Sequence, residues 1–101
     1  MIYNKLVRDK IPEIIKQKGQ DVSYHIASDE EYWSRLKEKL KEELGEFCAG
    51  ENEAEELADI LEVIYNICDY RKIDKEKLEL LRKQKTEKRG GFKDKIILEE
   101  I

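Results

Sequence analysis

From residue 29 to residue 71 apolar side chains recur every three or four positions, the period of an amphipathic helix. At about 100° per residue, Trp33, Leu36, Leu40, Leu44 and Phe47 fall on one stripe. Ser28 followed by Asp29, Glu30 and Glu31 reads as a capping box that opens this helix, which is expected to run to about Ala49. A break containing Gly50 follows, and Asn52 with Glu55 three residues on predicts a second start. The second stripe is Leu57, Ile60, Leu61, Ile64, Ile67 and Cys68, ending near Arg71. Asp74 predicts the cap of a third long helix from Lys75 to about Lys88, with Leu78, Leu80 and Leu81 as its apolar contacts. Near the start, Pro12 suits a first helical turn and Gly19 a stop, so PEIIKQK reads as a short helix with Ile11, Ile14 and Ile15 facing inward. Residues 22–26 and 95–101 suggest short extended pieces. The expected fold class is all-α, in one domain spanning residues 1–101.

Two acidic pairs stand on these helices. Glu43 and Glu46 are three apart, as are Glu56 and Asp59, so each pair shares a helix face. The turn at Gly50 allows the helices to lie antiparallel with the pairs facing each other. Glu43 and Glu56 fall at the edge of their apolar stripes, and Glu46 and Asp59 about 60° further out, whereas Glu42 points to solvent. With 44% charged residues, a single Glu-x-x-Glu is an ordinary solvated face. Two pairs bracketing one turn say more: four converging carboxylates repel, and a hard divalent cation such as Mg²⁺, with Mn²⁺ as the alternative, relieves that repulsion. Gly45, between Glu43 and Glu46, either lets a ligand or another backbone approach or is simply tolerated in the helix.

Composition narrows the picture. A chain of 101 residues buries a modest core, which self-association would complete. The net charge of −4 argues against general nucleic-acid binding. No apolar run is long enough to span a membrane and no secretory signal begins the chain, so a cytoplasmic protein is expected. Cys48 and Cys68 read as small core residues, and the lone His25 as structural. Charge is uneven: net +3 over residues 1–20, −9 over 29–62 and +5 over 82–95. An acidic centre between basic ends suits a polyanionic, metal-carrying ligand. Lys5, Arg8, Lys85 and Arg89 are candidates to hold phosphates, helped by the glycines of KRGGF, and Asn66, about two turns beyond Asp59, is a candidate ligand contact.

These features together resemble the MazG-like all-α nucleoside triphosphate pyrophosphohydrolases. The match rests on Glu43-x-x-Glu46 within KLKEELGEF and Glu56-x-x-Asp59 within EELADI. The opening YNKLVRDKIPEII and the late KRGGF resemble a subgroup labelled phosphoribosyl-ATP pyrophosphohydrolase-like. The resemblance implies an antiparallel helical bundle completed as a homodimer or homotetramer. It also implies Mg²⁺ held by Glu43, Glu46, Glu56 and Asp59, and cleavage of a nucleotide between its α- and β-phosphates to a monophosphate and pyrophosphate. No cyclohydrolase domain is fused to this chain, so a dedicated role in histidine synthesis is not implied, and base, sugar and pathway are not readable. A carboxylate-bridged di-iron bundle is disfavoured because neither pair contains His. The non-enzymatic alternative is a helical nucleotide-binding or interaction module with a solvated acidic face.

Overall fold

The computed structural model describes residues 3–50 and 52–101. Four helices follow in order: α1 (Ile11–Gln17), α2 (Asp29–Ala49), α3 (Glu53–Arg71) and α4 (Lys75–Arg89). No strand occurs among the described residues; residues 22–26 and 95–101 are irregular, without ladder partners.

Local chemistry accounts for most of the boundaries. Pro12 sits in the first turn of α1. The Ser28 hydroxyl accepts from the Glu31 N–H at 3.2 Å and starts α2. The reciprocal half of the expected box is replaced, because the Glu31 carboxylate accepts from His25 Nε2 at 2.8 Å. α2 ends at Gly50, whose φ of 77° is costly for a residue with a Cβ. Asn52 stands at the start of α3 but makes no side-chain cap bond. The Asp74 carboxylate accepts from the N–H groups of Glu76 and Lys77 and opens α4.

The core lies between α2 and α3, the one pair of helices packed along their length among the described residues. They run antiparallel: Tyr70, near the end of α3, stacks on Trp33, near the start of α2, at 5.5 Å, and its hydroxyl donates to the Asp29 carbonyl at 3.1 Å. Among the described residues Leu36, Val63 and Cys68 are the buried apolar side chains. Burying Leu36, 1% exposed, contributes roughly 2–3 kcal/mol.

Several expectations need correction here. The apolar stripes are covered unevenly: Leu36 and Cys68 are buried and Trp33, Leu40, Ile60, Ile64 and Ile67 half-buried, whereas Leu44, Phe47, Leu57 and Leu61, toward the Gly50 turn, are exposed. Glu43, expected at a border, is buried at 5% exposure, and Glu42, expected in solvent, is half-buried against two lysines. A helical period fixes which residues share a face and leaves open which face meets the neighbour. Cys48 is exposed, unlike Cys68, and Ile14 is exposed as well. A Cβ added at Gly45 would meet nothing within 4 Å, so no part of this chain uses its small size. The largest difference is α4: Leu78, Leu80 and Leu81 make no core, and every residue from 71 to 101 is exposed. The molecule is accordingly elongated, 56 × 32 × 24 Å.

Candidate metal centre

Of the four carboxylates, Glu43 is buried, Glu56 and Asp59 are half-buried and Glu46 is exposed. The last third of α2 supplies Glu43 and Glu46, and the first half of α3 supplies Glu56 and Asp59. One carboxylate oxygen from each of Glu43, Glu46 and Glu56 lies within 4.8 Å of the other two. Oε2 of Glu43 and Oε2 of Glu56 are buried without a hydrogen-bond partner. An unsatisfied buried polar group costs about 1–3 kcal/mol, and more when charged. The other Glu43 oxygen faces Lys39 Nζ at 3.3 Å.

Asp59 is not among these three. Its Oδ1 accepts from Arg8 Nη2 at 2.7 Å. Lys5 pairs with Glu42 at the same distance, so residues 5–8 cross both helices with one cation on each. Both of these candidate phosphate-holding cations are thus paired with carboxylates. Asn66 donates to the carbonyl and the carboxylate of Glu62, at 2.8 and 2.6 Å, which uses both its hydrogens. Arg8, Lys39, Glu43, Asp59 and Asn66 all line a cavity of about 360 Å³, floored by Leu36 and Val63 and flanked by Tyr32. Lys85 and Arg89 do not line it; they lie on α4, away from the hairpin core.

The electrostatics follow from this arrangement. Burial, with Glu46 and Asp59 nearby, pushes the Glu43 carboxyl above its ordinary range against the opposing pull of Lys39. For Glu42 burial acts in the same sense, but hydrogen bonding to Lys5 and the charge of Lys39 prevail and hold it below the usual range. Arg8 is raised by its hydrogen bond to Asp59. Lys39 is the residue that sequence reasoning passed over, and Glu42 is the one it placed in solvent. The spacing of Lys39 four residues before Glu43 was a usable sign of pairing. The link from Lys5 to Glu42 spans 37 positions and left none.

The donor set is all oxygen, which suits a hard cation, Mg²⁺ or Mn²⁺, and not a soft metal. Glu43, Glu46 and Glu56 would each supply one oxygen of an octahedral shell, after drawing closer around the ion. Two buried, unpaired oxygens in that group are the observation in favour of the fit.

Comparison with known proteins adds little chemistry. An uncharacterized protein of Mycolicibacterium smegmatis is 45% identical over 47 residues, which cover 46% of this chain and 48% of that protein. The chain thus matches about half the length of this curated relative. No family model and no solved structure matches.

Proposed function

We propose that the chain is a Mg²⁺-dependent nucleotide pyrophosphohydrolase of MazG-like type, cleaving the α–β phosphoanhydride of a nucleoside triphosphate or a phosphoribosyl-ATP-like substrate. The observation that carries the reading is the pair of buried, unpartnered oxygens of Glu43 and Glu56 within reach of Glu46. Lys39 faces one oxygen of Glu43, and the two oxygens left without a partner favour a further cation. The adjoining cavity is lined by Glu43, though not by Glu46 or Glu56, and brings Arg8 and Lys39 to it, as an anionic substrate requires. Cytoplasmic location and assembly as a homodimer or homotetramer belong to the same reading. Among the described residues no helix is long and apolar enough to cross a membrane.

Glu43, Glu46 and Glu56 would hold the ion, with Asp59 joining when Arg8 turns to a phosphate. When bound, Mg²⁺ offsets phosphate charge and lowers the pKa of bound water. Water oxygen bonds to the α-phosphorus as the bridging bond to the β-phosphate breaks, and pyrophosphate leaves. A carboxylate not fully engaged as ligand accepts the proton of the attacking water. Arg8 and Lys5 stabilise the leaving phosphates.

A pyrophosphate-release screen over ordinary and modified triphosphates and phosphoribosyl-ATP, with Mg²⁺ and with EDTA, tests this. The expected result is Mg²⁺-dependent release with a monophosphate product. Glu43→Gln and Asp59→Asn should each lower it at least about 100-fold while keeping the helical circular dichroism. Silence across the panel from folded protein would favour the non-catalytic module. Activity surviving both substitutions would overturn the metal assignment.

A further inference from the structure

A second cavity, of about 1220 Å³, shares Val7 and Ile11 with the first, and none of the four candidate metal ligands lines it. It is formed between residues 3–7, residues 20–27, α1 and the start of α2. Ligand clefts commonly run from about 300 to 1,000 Å³, so a small molecule has room here. The wall is mixed in chemistry. Ile11, Ile15 and Val22 are half-buried and give an apolar floor. Tyr3 and Tyr24 also line the cavity, with 65% and 58% of their surface in water. A phenol ring this open can stack on a flat ligand. Asn4 and Gln20 add two side-chain amides, each with donor and acceptor in one plane. Asn4 is held at φ 45°, a left-handed conformation of the kind that gathers at ligand sites.

We infer that this second cavity binds a neutral, planar heteroaromatic ring with an amide-like edge, of the nucleobase class. Charge selects against an anion. Of the charged groups that line it, Lys5 is bonded to Glu42 at 2.7 Å, and Arg35 to Glu38 at 3.0 Å with Glu31 at 3.8 Å. Glu31 also bonds His25 at 2.8 Å. The remaining one, Asp21, is an acid. Each lining cation thus already has its carboxylate, which leaves none for a phosphate. A neutral ring avoids the cost of burying a charge. The metal centre is the reverse case, because its two unpartnered buried oxygens need a charged ligand. In the second cavity the ring faces go to Tyr3 and Tyr24, and stacking of this kind tolerates any base. The ring edge exchanges paired hydrogen bonds with Asn4 or Gln20, as side-chain amides do with a base. The site needs no metal and does not rest on the proposed reaction.

The test is an amide NMR titration of the full chain, without divalent ions, using adenosine, guanosine, cytidine and uridine, each beside its 5′-monophosphate. The expected result is saturable shifts at Tyr3, Asn4 and residues 20–25 with at least one nucleoside, at a Kd of about 1 mM or below. That nucleoside should bind more tightly than its own monophosphate. Tyr24→Ala should weaken binding at least about 5-fold, the least that losing one stacked ring costs, and Tyr24→Phe should keep it. Tyr24 is exposed, so neither substitution threatens the fold. Asp59→Asn, at the metal centre, should leave binding unchanged. No saturable shift with any nucleoside overturns the inference. So do shifts confined to the residues that line the first cavity, tighter binding of the monophosphates, or binding that survives Tyr24→Ala. Pyrophosphate release plays no part in the readout, so this site and the proposed reaction can fail separately.

Discussion

The α2–α3 hairpin and the C-terminal arm, α4 with residues 90–101, have similar helical grammar and opposite fates. Both open on a side-chain cap, at Ser28 and at Asp74, and both carry leucines at helical spacing. In the hairpin a neighbouring helix lies alongside, and Leu36, Val63 and Cys68 are buried. In the arm no neighbour is present, and comparable leucines stay in water. The difference teaches that an amphipathic pattern specifies a need for a partner and is silent on where the partner comes from.

The sharpest way to probe the contrast is to delete one leucine from each side. Leu36→Ala should destabilise the chain by about 3 kcal/mol in urea unfolding. Leu81→Ala should change a dilute sample by less than about 0.5 kcal/mol, with a larger effect only where stability rises with concentration.

A smaller effect of opposite sign is expected at Glu43. Its carboxyl is raised by burial in the folded state, so folding favours its protonated form. That favourable contribution is complete below the unfolded carboxyl value and disappears as pH rises through the raised folded value. Ionised Glu43 therefore weakens the hairpin at neutral pH. Glu43→Gln should stabilise the chain by about 1 kcal/mol at pH 7 without divalent ions. Urea titrations at pH 7 and pH 4 check this, and an equal gain at both would contradict it.

Gly45→Ala should add about 0.5–1 kcal/mol to the melting free energy of α2, since the site is open and helical. A loss of assembly in that variant would instead place a second copy against Gly45. The smallest change in stability belongs to Arg8→Gln, within about 0.5 kcal/mol because the pair with Asp59 is largely exposed. The same variant should bind Mg²⁺ more tightly by calorimetry, as Asp59 loses its competing cation.

Much of this was legible in the residues. Ser28, Gly50 and Asp74 marked the helix limits, since capping and left-handed turns are local chemistry. The spacing within each acidic pair put its members on one face, and three of the four carboxylates do converge. What could not be read was tertiary. What each helix packs against decides that Glu43 is buried and Leu44 is not, and periodicity contains no term for it. The pairing of Arg8 with Asp59 joins residues 51 positions apart, the first in a stretch without any period. Asn52 misled in the other direction: a residue type suited to capping stands at the right place and makes no cap bond.

Trp33 is the single tryptophan of the chain, and it lies stacked on Tyr70 with Lys37 and Arg71 over its ring. The molecule thus carries an optical probe at the seam between α2 and α3 and none in the arm. Indole emission will follow separation of those two helices alone, while far-ultraviolet ellipticity sums over all four. If the arm melts before the hairpin, the two signals will trace different curves on heating, and the gap between them measures how much order the arm holds by itself.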